Sequence, residues 1–149
     1  MQVISHMAFA AGVGALAGTG PHDIAVLTAG AAFPDMMDGV LAGGSREIWQ
    51  GIHRTVSHWP VLYPVVMVFL VVSGVAVPET VLRLIYVFLT GALIHISCDF
   101  CTPMGIPLYP PFKKRASLRL IRTGSISDYA FGFLPAMVYG LVRIQQSVF

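Results

Sequence analysis

The sequence predicts an all-α fold: a polytopic membrane helical bundle with about three or four membrane segments, one of them a short N-terminal helical hairpin. Three observations lead there. The 149-residue chain is 56% hydrophobic and only 11% charged, and its mean hydropathy of +0.76 is too apolar for an ordinary soluble domain of this length. Its apolar runs are short and punctuated by Gly and Pro. Its basic residues are segregated, five of the nine falling between Lys113 and Arg122. The length suits a single domain spanning residues 1–149.

The elements follow in order. Residues 7–18 are small and apolar, and Thr19-Gly20-Pro21 breaks them; a second run extends from Ile24 to Phe33, where Pro34 is expected to stop it. Each run makes a helix of roughly 15–20 Å, short of the ~30 Å hydrocarbon core. An antiparallel hairpin with glycine ending the first helix and Pro21 starting the second returns Asp35 to the level of His6. A single continuous helix over 6–33 would hold those ends about 40 Å apart. Gly14 and Gly18 form a small-xxx-small step suited to close helix packing. They do not make a dinucleotide loop, because no strand precedes them and no acidic residue follows at the right distance. Residues 39–52 are expected to be a polar connection. Trp59 to Val77 is the clearest expected span, with Trp59 and Tyr63 as interfacial aromatics, and Thr80 to Phe100 is the next. A proline-rich basic connection over 102–125 and a last short span from Tyr129 to Val142 complete the chain.

Arg46, Arg54 and the Lys113–Arg122 block lie on connections of one side, while those at 19–23 and 74–79 carry no Lys or Arg. The positive-inside rule therefore puts the basic loops at the cytoplasmic face of an inner membrane, against Arg143 alone. Beside membrane segments such a block contacts anionic lipid or sets topology, so no nucleic-acid partner is expected. The start of the chain lacks the basic residue and cleavage site of a secretory signal peptide. Cys98 and Cys101 form a lone Cys-x-x-Cys, too few thiolates for a structural zinc site. Oligomeric state is not legible.

Ionisable groups near hydrocarbon are costly and mark function by default. In this chain they form an array at the edges of the apolar runs: His6, Asp35 and Asp38, His53 and His58, His95 and Asp99, with Asp128 last. His95 and Asp99 are an i, i+4 pair on one helix face. Their spacing suits a shared divalent ion, and equally a helix-stabilising hydrogen-bonded pair. His53 and His58 converge if His53 lies in a loop and His58 in the following helical turn; otherwise they are interfacial histidines. Arg54 presents the planar fork that clamps phosphate or carboxylate. Asp35 and Asp38 stand three apart, where Asp also serves helix ends. Nitrogen and oxygen donors without thiolate suit zinc, manganese or iron.

At these residues the chain resembles the YdjM-like family of predicted membrane-bound metal-dependent hydrolases. The carrying motifs are Ser5-His6, Pro34-Asp35-Met36-Met37-Asp38, His53-Arg54-Thr55-Val56-Ser57-His58, and Gly91-Ala92-Leu93-Ile94-His95-Ile96-Ser97-Cys98-Asp99. Thr102-Pro103-Met104-Gly105 and Thr123-Gly124-Ser125-Ile126-Ser127-Asp128 follow. The family's Pro-Asp-x-Asp step has one extra residue here before Asp38, and its closing glutamate is here Asp128. The resemblance implies a distant kinship with zinc-dependent phospholipase C, and with it phosphoester hydrolysis.

Two expectations result. In the first, a membrane phosphoesterase acts on a lipid-linked or other phosphorylated, anionic substrate at the cytoplasmic face. Two or more divalent ions would be held by Asp35, His53, His58, His95 and Asp99, completed by His6 and Asp128. Arg54 would hold the phosphate, helped by Lys113, Lys114 or Arg115, and Asp38 would serve as general base. In the second, the ions are structural and clamp short helices without catalysis. A transporter fits less well, because the candidate ligands lie at one face rather than near the midplane.

Overall fold

The computed structural model describes residues 1–148 and is built almost wholly of helices. Helix α1, Val3–Leu16, and helix α2, Pro21–Leu41, form the expected hairpin. Gly18 stops α1 in the left-handed region at φ 71°, the Thr19 hydroxyl donates to the Gly14 carbonyl, and Pro21 opens α2. The expected stop at Pro34 does not occur. Proline removes one helical hydrogen bond, but Pro34 is buried among neighbouring helices, and membrane bundles tolerate such a residue inside a helix. Asp35 and Asp38 therefore sit within α2, one turn apart, rather than beyond its end.

The region expected to be a polar connection over 39–52 is mostly helical. It contains the tail of α2 and a short helix α3, Arg46–Ile52, capped by the Ser45 hydroxyl, which accepts from the Ile48 amide. A 3-10 turn, Val56–His58, leads into α4, Leu62–Val72. The expected span from Trp59 to Val77 is thus a correction. Only 11 residues of it are helical, about 17 Å, too short to cross a bilayer. Hydropathy carried that expectation, but Gly74, at φ 64°, and Pro78 end the helical register early.

Helix α5, Glu79–Phe100, matches its expected span. The connection after it holds a two-residue antiparallel ladder, β1 Ile106–Pro107 with β2 Arg115–Ala116. It folds back to cap α5: the amides of Leu118, Leu120 and Ile121 donate to the carbonyls of Phe100 and Cys101. Helix α6, Ile126–Val148, is longer at both ends than the expected Tyr129–Val142. Among the described residues α2 and α5 are long and apolar enough to cross a membrane, with α1 and α4 as shorter apolar helices.

Glycine sets the two closest helix crossings. A Cβ on Gly30 would lie 2.0 Å from the Phe88 carbonyl oxygen, and one on Gly91 2.0 Å from that of Leu27, so α2 and α5 meet backbone to backbone. Gly12 against Ala136 and Gly132 against Ser5 do the same for α1 and α6. The expected Gly14/Gly18 step divides: Gly14 packs on Ile24 and Leu27, while Gly18 meets nothing and only ends α1. The crossings bring the start of α1, the second half of α2 and the last turns of α5 to one end of the bundle.

Gly91→Val should overpack the α2–α5 crossing and cost about 1–3 kcal/mol or more. Gly39→Ala, where a Cβ meets nothing, should stabilise by about 0.5–1 kcal/mol. Thermal unfolding of the two variants in detergent should move the melting temperature in opposite directions.

Candidate metal centre

Four side-chain atoms from three places in the chain converge at that end. His58 Nε2, supplied by the 3-10 turn, lies 3.1 Å from His95 Nε2, 3.3 Å from Asp35 Oδ1 and 3.5 Å from Asp99 Oδ2. His95 Nε2 lies 3.7 Å from Asp35 Oδ1 and 3.5 Å from Asp99 Oδ2. Ligands at 2.0–2.1 Å from a tetrahedral zinc stand about 3.3–3.4 Å apart. The separations fit a single small divalent ion.

The protons make the same point. His95 Nδ1 lies 2.7 Å from the Ala31 carbonyl, which can only accept, so Nδ1 carries the hydrogen and a neutral His95 turns an Nε2 lone pair inward. Asp38 Oδ1 accepts from the Ser57 hydroxyl, whose oxygen is then free to accept from His58 Nδ1 at 2.9 Å. A neutral His58 likewise presents an Nε2 lone pair. Asp35 Oδ1 and Asp99 Oδ2 are buried without a hydrogen-bond donor. Two imidazole lone pairs and two carboxylate oxygens facing one another are costly unless a cation stands between them. Burial also holds the His58 imidazole below its ordinary pKa, an effect that the nearby Asp35 and Asp99 carboxylates only partly offset. The ring therefore stays neutral and able to ligate at neutral pH.

The surrounding residues orient these four. Two three-residue groups have spacing suited to a metal ion, His6–His95–Asp99 and Asp35–His53–His58, and each contributes two members to the four-atom cluster. His6, fully buried, stacks on His95 with ring centroids 3.7 Å apart and places Nε2 3.3 Å from Asp99 Oδ1. His53 Nδ1 lies 3.0 Å from Asp38 Oδ2 and 3.8 Å from Asp35 Oδ1, and its ring stacks on Trp49.

Two residues stand differently from their expected roles. Asp38, expected as the general base, is 2% exposed, and its oxygens take hydrogen bonds from Ser57, His53 and the Arg54 amide. It contacts His53 directly and His58 through Ser57. Arg54, expected to clamp phosphate, is 3% exposed. Its guanidinium donates to Asp99 Oδ1 at 2.7 Å, Thr102 Oγ1 at 2.9 Å and the Gly105 carbonyl at 3.0 Å. Burial pulls its pKa down, opposed by Asp99 and Asp35. With Oδ1 held this way, Asp99 is left to aim Oδ2 at the cluster. Spacing alone identified Asp38 and Arg54 as polar but could not show that their partners are internal.

Asp128 belongs to neither metal-spaced group. Its Oδ2 accepts from the Gln2 and Gly124 amides, tying the start of α6 to the start of α1. Lys113, Lys114 and Arg115 are exposed on the basic connection. No role is legible in sequence for Ser57 or Thr102, which hydrogen-bond to His58 and Arg54; their places inside the histidine and Thr-Pro motifs are the available signal. Cys98 and Cys101 are free thiols.

Side-chain exposure is 14% at Asp35 and 10% at His53, against 0–1% at His58, His95 and Asp99. The open side faces a cleft of about 400 Å3 lined by Met1, Val3, Trp49, Met104 and Arg54 among others.

Fold and site together define a helical membrane protein with a buried His/Asp cluster suited to a metal ion. The chain belongs to the YdjM inner membrane protein family, whose model matches residues 1–147. No curated protein and no solved structure gives a match.

Chelator competition against zinc should show His95→Ala and Asp99→Asn weakening affinity severely. Asp38→Asn should weaken it about 10–100-fold through lost orientation of the histidines. Lys113→Ala should leave it unchanged.

Proposed function

We propose that this protein is a membrane-bound, metal-dependent hydrolase of phosphorylated substrates, acting at the cytoplasmic face. The observation that carries this reading is the asymmetry of the cluster. Four acceptors converge without a proton, and the residue that carries one of them, Asp35, is partly exposed and borders a cleft large enough for a ligand. Catalytic metal sites keep such an open side, whereas structural sites are closed by protein ligands.

His58, His95, Asp35 and Asp99 would hold the ion, with zinc favoured by the donor set and manganese or iron as alternatives. Asp35, grouped with His53 and His58 while also touching His95, is placed to be shared with a second ion. A bound divalent ion supplies Lewis acidity and makes a nucleophile of water at neutral pH. The protein does the rest. Arg54 fixes Asp99, Asp38 and Ser57 fix His58, and the Ala31 carbonyl fixes His95. Trp49 shields the His53 ring beside the cleft. Arg115 is carried by the ladder against Gly105, whose carbonyl holds Arg54, so it is the member of the basic block best placed to attract an anionic substrate. The distant kinship with zinc-dependent phospholipase C that the sequence resemblance implies would suit the same reaction class by fold-level analogy.

One observation favours the second reading, a non-catalytic protein whose ion is structural: four side chains already offer as many ligand atoms as a closed structural site needs. Turnover separates the two. Detergent-purified full-length protein loaded with zinc or manganese should release phosphate from a panel of phosphomonoesters and phosphodiesters. Activity should be lost on chelation and should fall at least about 100-fold in Asp35→Asn. Tightly bound metal that stabilises the protein, with no turnover across the panel, would leave the structural reading.

A further inference from the structure

Beyond the phosphoester reading, on which this inference rests, the cleft indicates where the substrate comes from. Its walls carry both chemistries: Val3, Trp49 and Met104 supply apolar surface, and Asp35, His53 and Arg54 supply the ionisable groups. Exposed apolar side chains stand on the two helices that bring Asp35 and Trp49 to it. Met36, Val40 and Leu41 on the last turns of α2 are 61%, 77% and 64% exposed, and Ile48, beside Trp49 on α3, is 51% exposed. In water such a surface is unfavourable at about 25 cal/mol per Å2 of apolar area, and contiguous patches of this kind mark membrane or partner contacts. In an inner membrane protein, exposed apolar side chains on α2, a helix long and apolar enough to span, are suited to contact with lipid.

We propose that the substrate is a lipid that enters from within the bilayer. Its phosphate-bearing head reaches Asp35 and His53 through the cleft, while its apolar chain lies along Trp49 and the exposed end of α2. Charge and shape agree with that occupant. The head meets the cation that the His/Asp cluster requires, with Arg115 on the adjoining ladder, and the tail meets side chains that offer only apolar contact. Trp49 serves both parts. One face of its indole stacks on His53 at 4.0 Å between centroids, and the residue is 36% exposed. A lipid held this way never leaves the membrane, so the site needs only the short reach between interface and centre.

The test reads binding rather than turnover. Trp59→Phe leaves Trp49 as the sole tryptophan. The zinc-loaded full-length variant, in phosphatidylethanolamine nanodiscs, is titrated with a bromine-labelled phosphonate analogue of phosphatidic acid, which cannot be hydrolysed at the phosphate. The control is a bromine-labelled diacylglycerol with the same chains. Half-quenching of Trp49 by the phosphonate lipid is expected at a mole fraction at least about tenfold lower than by the diacylglycerol. Glycerol 3-phosphate at an equal concentration should not reverse it. Equal quenching by the two lipids, or displacement by the soluble headgroup, would overturn the proposal. Because the probe is not turned over, a failed hydrolysis assay leaves this result intact, and a failed quenching result leaves soluble phosphoesters open as substrates.

Discussion

Everything at one end of this bundle answers to a single electrostatic constraint: four buried acceptor atoms, two imidazole nitrogens and two carboxylate oxygens, pointed at a common centre with no proton among them. Left alone, such a cluster costs several kcal/mol for each desolvated charge. A cation turns the same arrangement into a clamp, because it binds the folded state and has no preformed site in the unfolded chain. The clamp joins the α1–α2 hairpin, the α3–α4 connection and the end of α5, which are otherwise held by thin packing. α1 and α4 are too short to span a bilayer, and the core is two small apolar clusters. The glycine crossings at Gly30 and Gly91 serve the same end, since a wider α2–α5 separation would carry Asp35 away from His95 and Asp99.

Much of this was legible in the sequence because charge is scarce. In a chain so apolar, each His or Asp at the edge of a hydrophobic run stands out, and the hairpin argument correctly returned Asp35 to His6. Segment boundaries were less legible. Pro34 looked like a stop because its local cost is real, but burial between helices compensates it. The Trp59–Val77 run looked like a span because hydropathy counts residues and not helical register. The glycine crossings were invisible for a different reason: each glycine's partner lies tens of residues away, and no local pattern names it.

The division between ligands and supports was legible only in part. Spacing showed which groups could reach the centre, but the partners of each group decide its role. Asp38 and Arg54 carry the chemistry of a base and an anion clamp, yet both are sealed and committed to neighbours. Asp35, which keeps the motif's place after Pro34 while Asp38 is displaced by one residue, is the one that faces the cleft. The resulting picture has a rigid, hydrogen-bonded half that sets the geometry and an open half bordered by apolar surface. Reading the open half as the working side links the metal cluster to the membrane in which the family resides.

The central claim is that the cluster binds a divalent ion through nitrogen and oxygen alone. X-ray absorption at the zinc edge, on zinc-loaded full-length protein in detergent, addresses it directly. The account predicts a light-atom shell at about 2.0–2.1 Å with the outer scattering of at least two imidazole rings. A sulfur shell at about 2.3 Å, pointing to Cys98 and Cys101, would contradict it. So would protein that retains no zinc after being offered the metal.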